Sequence, residues 1–146
     1  MDITATGDRL AIADGGNHRV RVVTPDRRIS TIVGSGDPKF SGDGAPAAMS
    51  GLSAPTAIAF DPAGNLYVTD FVGSRIRRVA TDGTIGTVAG TGKAGFSGDG
   101  GPATQATLSA PCGIASDAAG NLYIADYGNH RIRRISTIGT ITTVAA

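Results

Sequence analysis

The residues best suited to chemistry gather in two near copies of one segment, "KFSGDGAPAAMSGLSAP" at 39–55 and "GFSGDGGPATQATLSAP" at 95–111. Running into the second copy, Gly90, Gly92 and Gly95 spell G-x-G-x-x-G, and "GTGK" looks like the start of a phosphate loop. Either motif binds phosphate only where a helix N-terminus follows the glycines. Here a coil follows a strand-like run and Ala94 follows the lysine, so no dinucleotide or nucleotide cofactor is expected. "SGDG" supplies one carboxylate per copy, Asp43 and Asp99. Calcium needs several oxygen ligands at regular spacing, so a tight Gly-Asp-Gly turn is expected there rather than a metal site. "PATQATL" is expected to form one helical turn that lays Leu108, like Leu52, onto its neighbours.

His18 and His130 hold equivalent places, with Ser74 between them in the series. They are expected to be turn residues that bond backbone or the preceding aspartate, since no partners converge on them. Cys112 starts a strand-like run, with Thr56 in the same place one unit earlier. It has no neighbouring base in the sequence, and a nucleophile needs one. Asp14, Asp70 and Asp126 recur with Arg19, Arg75 and Arg131 five residues on. A pair present in every copy is expected to cap the turn and pair across it, so no catalytic residue is assigned. Asp43, Asp99, His18, His130 and Cys112 are retained as candidates for a ligand-binding face.

The elements that must position these groups follow from composition and period. All twelve acidic residues are Asp, and Lys and Gln are scarce, so the exposed-helix formers are nearly missing while Gly, Thr, Ile and Val abound. The chain reads as all-β. With 146 residues and a net charge of +1, it has the length of one domain and no field to recruit nucleic acid or anionic membrane. One cysteine excludes an intrachain disulfide. The N-terminal run "MDITATGDRL" lacks the basic start and apolar stretch of a signal peptide, and no apolar run is long enough to span a bilayer.

Asp14, Asp70 and Asp126 stand 56 residues apart, as do the two "SGDG" runs. That period divides the chain into units at 1–36, 55–90 and 111–146, joined by connectors at 37–54 and 91–110. Each unit carries four short β-runs separated by turn signals such as "DPAGN", "DYGNH" and "TDGT". Leu66, Tyr67 and Val68 put apolar groups on both faces of a second strand, which suits a sheet covered on both sides. Three antiparallel four-stranded sheets stacked face to face about an axis meet that demand. Strand parity then puts the connectors and the "GNH" turns on one face.

"NLYVTD" with "SRIRRV", and "NLYIADYGNHRIRRI", resemble the NHL repeat, the blade of a β-propeller, and the connector is similar to that of bacterial proteins built from long NHL repeats. The resemblance covers the whole chain. It implies blades of a ring that is mostly six-bladed in the family, whose members include protein- and RNA-binding scaffolds, sensor domains and some enzymes. Three blades leave an apolar face bare at each end, several hundred Å² apiece, more than soluble monomers usually tolerate. Closure as a homodimer, two half-propellers in one six-bladed ring, is therefore expected, the alternative being that these three blades are a stretch of a longer propeller. The function expected is a non-catalytic interaction scaffold that takes a protein or small-molecule ligand on its connector face. One alternative is a metal-dependent propeller hydrolase, lactonase or lyase, with Asp61 and Asp117 at the channel. The chain lacks the histidine set of the amidating lyases that this repeat resembles. Another alternative is a nucleic-acid binder using Arg75, Arg77 and Arg78 with Arg131, Arg133 and Arg134, but few aromatic residues interleave with them to stack bases.

Overall fold

The computed structural model describes residues 1–146. Four strands make each blade. They are β1 (Asp2–Thr6), β2 (Arg9–Asp14), β3 (Arg19–Val23) and β4 (Ile29–Val33) in blade one, and β5 (Pro55–Phe60), β6 (Leu66–Asp70), β7 (Arg75–Val79) and β8 (Ile85–Ala89) in blade two. Blade three holds β9 (Pro111–Ser116), β10 (Leu122–Asp126), β11 (Arg131–Ile135) and β12 (Ile141–Ala145). Every sheet is an antiparallel meander with its strands in chain order. The turn residues explain the reversals. Asp61 accepts from the amides of Ala63 and Asn65, and Gly64 takes a φ of +89°, which closes the β5–β6 turn at no steric cost. Asp117 repeats this in blade three, with Ala119 and Asn121.

The inner strands lie against one another. Thr56 Oγ1 donates to the Pro111 carbonyl at 3.4 Å, and the amide of Ile58 donates to Asp2 at 3.0 Å. Each blade presents a front to the blade before it and a back to the blade after it. The first core is built from Ala11, Ala13, Val20 and Val33 on the back of blade one, and Ile58, Leu66, Val68 and Ile85 on the front of blade two. The second joins Ile76 and Ala89 to Leu122, Ile124, Ile135 and Ile141 in the same way. Strand β6 is buried along its whole length, as a sheet covered on both sides requires.

The connectors complete both cores. Ala47–Met49 and Ala103–Gln105 form single 3-10 turns, and Leu52 and Leu108 beyond them are fully buried. The route between blades differs from the expectation that the connectors lie on one face. Only their ends do so. Their middle parts drop between the blades along the outer strand: the Gly44 amide donates to the Ile85 carbonyl at 2.7 Å, and the Ala47 amide to the Gly83 carbonyl, in the turn at the opposite face, at 2.9 Å. The second connector repeats this with Gly100 on Ile141 and Ala103 on Gly139. The free N–H and C=O groups of an outer strand draw the chain along it, because an edge with unpaired backbone is a template for another strand. No helix is long and apolar enough to cross a membrane.

Candidate functional site

The polar centre of each junction is an arginine in the middle of a third strand. A register shift beside it, between Ile76 and Arg77 and between Ile132 and Arg133, adds one residue to the fourth strand and re-aims the local backbone. The Arg77 guanidinium, with no exposed surface, donates through Nη2 to the Gly42 carbonyl at 2.8 Å and to Asp43 Oδ1 at 3.1 Å, and through Nε to the Gly86 carbonyl. Thr87 donates to the same carboxylate oxygen at 2.9 Å. Phe40 lies under the cations, its ring centre 3.7 Å from the Arg75 guanidinium carbon and 4.8 Å from that of Arg77. That geometry is a cation–π stack.

Blade three repeats the set. Arg133 donates to Asp99 Oδ1 at 2.9 Å and to the Ser97 carbonyl at 3.0 Å, Thr143 donates to Asp99 Oδ2 at 2.6 Å, and Phe96 lies under Arg131 and Arg133. Arg133 also pairs with the fully buried Asp126 at 3.2 Å. Partial burial acts to raise the Asp99 carboxyl, but the Thr143 hydrogen bond and the Arg133 charge outweigh it and hold the group below its ordinary 3.8. Asp43 and Asp99 are thus engaged inside the chain, each on a buried arginine, rather than presented to a ligand.

Two of the three aspartates at the ends of the second strands take a partner other than the one expected, and Asp70 forms no ion pair. Asp14, Asp70 and Asp126 stand opposite Arg19, Arg75 and Arg131 in the sheet, yet the ion pairs run to the arginine two residues further on: Asp126 to Arg133, and Asp14 to Arg21 at 4.0 Å. Arg19 and Arg75 turn outward, to the Ser35 and Thr91 carbonyls. The aspartates spend their remaining oxygens on backbone. Asp70 accepts from the amides of Ser53, Ala54 and Gly73, and Asp126 from that of Ser109, tying the connector's end to the next blade.

His18 and His130 adopt left-handed backbone, φ 55° in both, and Ser74 does the same at 49°. His18 Nδ1 lies 2.7 Å from the Ser53 carbonyl. Cys112 and His130 line one shallow hollow of about 350 Å³ on the back of blade three, with Ile132 and Tyr127, although no hydrogen bond joins them. The neighbourhood of Cys112 and His130 is a product of the fold that their separation in sequence hides.

Asp61 and Asp117 sit in turns on the opposite face. Asp61 accepts from Asn65 Nδ2 and from the Tyr67 hydroxyl, each at 2.9 Å. Burial works to raise the Asp61 carboxyl, and the bonds from Asn65, Tyr67 and Ala63 outweigh it and keep it below 3.8. Burial and the same contact push the Tyr67 phenol above 10.0. A hollow of about 710 Å³ opens between blades two and three beside this cluster, lined by Asp61, Tyr67, Arg78, Thr87 and the 136–139 turn. Sequence reasoning missed it because it lies opposite the connector ends. The fourth residue of "RIRR", Arg78, was the available signal.

A native carboxyl with a lowered pKa binds fewer protons folded than unfolded, so its contribution is complete above the unfolded value and is lost on acidification. The stability gap between wild type and Asp61→Asn is therefore expected to be open at pH 7, to narrow below pH 3.8, and to close as the pH passes the lower folded value. Urea midpoints measured across pH 2–7 check this, and a gap that widens on acidification contradicts it.

Comparison with known proteins agrees with the repeat. The model of the Teneurin NHL domain matches residues 92–146, which span the second connector and blade three. Mouse teneurin-3 is 42% identical over 99 residues, covering 58% of this chain and 4% of that protein. Among solved structures, a protein of unknown function from Bacteroides thetaiotaomicron superposes with a TM-score of 0.76 at 29% identity, over 86% of this chain and 32% of its own. Virginiamycin B lyase from Staphylococcus aureus superposes at 0.69 and 16% identity, over 99% and 40%, which is a likeness of fold. The chain therefore spans well under two thirds of each of these proteins. Three repeated meanders, their shared turn chemistry and these matches lead to one conclusion: the chain belongs to the NHL-repeat β-propeller family.

Proposed function

We propose that the chain is a non-catalytic scaffold, and that two copies join into a six-bladed ring whose surface presents ligand-binding loops. The supporting observation is that two complementary sheet faces are open at opposite ends of the stack. Leu10 and Ile29, on the front of blade one, are 46% and 54% exposed, whereas their repeat equivalents Leu66, Ile85, Leu122 and Ile141 are buried. Ile132, on the back of blade three, is 38% exposed, whereas Val20 and Ile76 in the same place are sealed. Each open face is half of a junction this chain builds twice. A second copy related by a two-fold axis closes both at once, and two such junctions reach the roughly 1,200–2,000 Å² of a stable interface.

The scaffold reading rests on what the polar groups already do. The repeated arginines and aspartates hold blades to connectors, and the nucleic-acid reading loses two of its arginines, because the Arg77 and Arg133 side chains are sealed inside the junctions. Ligands of the scaffold are proposed to engage the connector ends beside His18 and His130.

Leu10→Arg places a charge on the open front without touching the cores inside the chain. It is expected to raise the dimer dissociation constant on the order of a hundredfold, as loss of a central apolar anchor does. Ile138→Arg, in a turn away from both faces and 87% exposed, is expected to leave the dimer unchanged. Sedimentation velocity reads both. Equal effects of the two substitutions would count against the ring.

A further inference from the structure

The hollow between blades two and three is framed entirely within the chain, by the back of one blade, the front of the next and the middle of the second connector. Its volume, about 710 Å³, is that of a small-molecule site. The first junction has the same frame with different residues. Val22 stands there in the place of Arg78, Ala11 in the place of Tyr67 and Ala48 in the place of Thr104. That junction closes with Val22 and Ala11 buried, so two blades need neither a cation nor a phenol at these positions to hold together. Arg78 makes no ion pair. Its equivalent Arg134 donates to Asn121 Oδ1 at 3.0 Å, whereas Arg78 lies beside the Tyr67 phenol. The carboxylates around it are spent elsewhere. Asp61 accepts from the amides of Ala63 and Asn65, the Asn65 side chain and the Tyr67 hydroxyl, and Asp82 accepts from the amide and hydroxyl of Thr84. The lip of the hollow departs from the repeat as well. Ile138, 87% exposed, stands where the other two blades have Asp82 and Asp26. So exposed an isoleucine buries almost nothing in the fold, yet it removes a negative charge from the rim and extends the apolar wall of Val88 and Leu122.

We propose that this hollow binds a small organic acid, a carboxylate on a branched apolar body, with Arg78 and Thr104 taking the carboxylate and Val88, Leu122 and Ile138 taking the body. The planar guanidinium fork matches a carboxylate in two parallel hydrogen bonds, and the Thr104 hydroxyl adds a donor from the connector. One cation suits a monoanion. A phosphate, more highly charged and hydrated on every side, is matched neither by a single arginine nor by a wall of aliphatic side chains. Tyr67 keeps its hydroxyl on Asp61 and so serves as a support for the guanidinium rather than as a donor to the ligand. The site lies on the face away from the connector ends, and it uses neither of the open end faces, so it is independent of ring closure.

The probe is N-acetyl-L-leucine, with N-acetyl-L-leucinamide as its neutral isostere. Titration of the acid into the 146-residue protein, followed by heteronuclear NMR, is expected to give saturable shifts at the amides of Thr104, Thr137 and Ile138, with the millimolar affinity of a ligand this small. The amide is expected to bind at least tenfold more weakly, because a charge-assisted pair is lost. Arg78→Val installs the residue that blade one already folds with at this place, and it is expected to weaken binding of the acid at least tenfold while the dispersed spectrum of the folded chain persists. Ile138→Asp, which installs the residue of blade two, is expected to weaken it several-fold through lost apolar contact and added repulsion. Absence of saturable shifts at these residues up to the solubility of the acid overturns the proposal. Equal binding of acid and amide, or equal binding to wild type and Arg78→Val, overturns it too. Leu10→Arg is expected to bind the acid as well as wild type does, so failure of the ring with the acid still bound leaves the site standing.

Discussion

Arg133→Met is expected to lower the stability of the folded chain by about 3–5 kcal/mol, because removing one partner of a buried ion pair leaves the others uncompensated. Arg133 serves four groups at once. Without it, the fully buried Asp126 keeps a charge with no cation at 3.2 Å, Asp99 loses the cation that holds it against β12, and the Ser97 and Thr107 carbonyls lose their donor. Methionine fills most of the volume, so the loss reports charge and hydrogen bonding more than a cavity. Arg133→Met with Asp126→Asn is expected to recover at least ~1 kcal/mol, since the stranded buried charge is gone. Arg21→Met, the same replacement at the equivalent position of blade one, where the half-buried side chain meets only Asp14 at 4.0 Å, is expected to cost no more than ~1 kcal/mol, as for other partly exposed pairs. Urea unfolding of the variants measures all of these, and equal losses at Arg21 and Arg133 would contradict the assignment of Arg133 as the centre of its junction.

Gly51→Ala is expected to cost on the order of 2–3 kcal/mol by overpacking a site with no room for a methyl group. A Cβ there would run into the Lys39 carbonyl oxygen and stand 3.2 Å from that of Asp37, so it meets backbone on the other limb of the same connector. The second connector solves the crossing in reverse. Thr107 stands in the place of Gly51, and Gly95 in the place of Lys39, with the space above Gly95 filled by the Thr107 side chain at 3.3 Å. One glycine is needed at the crossing, on either limb. The double variant Gly51→Thr with Lys39→Gly, which transplants the second solution into the first connector, is therefore expected to recover most of the stability lost by Gly51→Thr alone. Thermal unfolding of the two single variants and the double variant tests the coupling, and simple additivity of the losses would sink it.

The period of 56 made the blades legible. It aligned "NLYVTD" with "NLYIAD" and put Asp61 and Asp117 into equivalent turns, where local chemistry alone closes the chain. Leu52 and Leu108 were legible for a similar reason, since each follows a Pro-led segment suited to one helical turn. The connector's route was not. It is set by Gly44 and Gly100 pairing with the outer strands and by Asp43 and Asp99 finding arginines some 34 positions away, contacts that leave no periodic trace. The true partner of Asp126 escaped for a related reason. Five-residue spacing pointed to Arg131, directly across the hairpin, whereas the register shift beside Arg133 turns that side chain toward both Asp126 and the incoming connector.

The same logic gives the open faces their meaning. Leu10, Ile12, Val23 and Ile29 repeat as Leu66, Val68, Val79 and Ile85, so blade one carries a front made for a neighbour. Size-exclusion chromatography with multi-angle light scattering on the 146-residue protein tests that claim most directly. Two-fold closure predicts a single species at twice 14.6 kDa, about 29 kDa. A well-behaved monomer at 14.6 kDa across the micromolar range would contradict it.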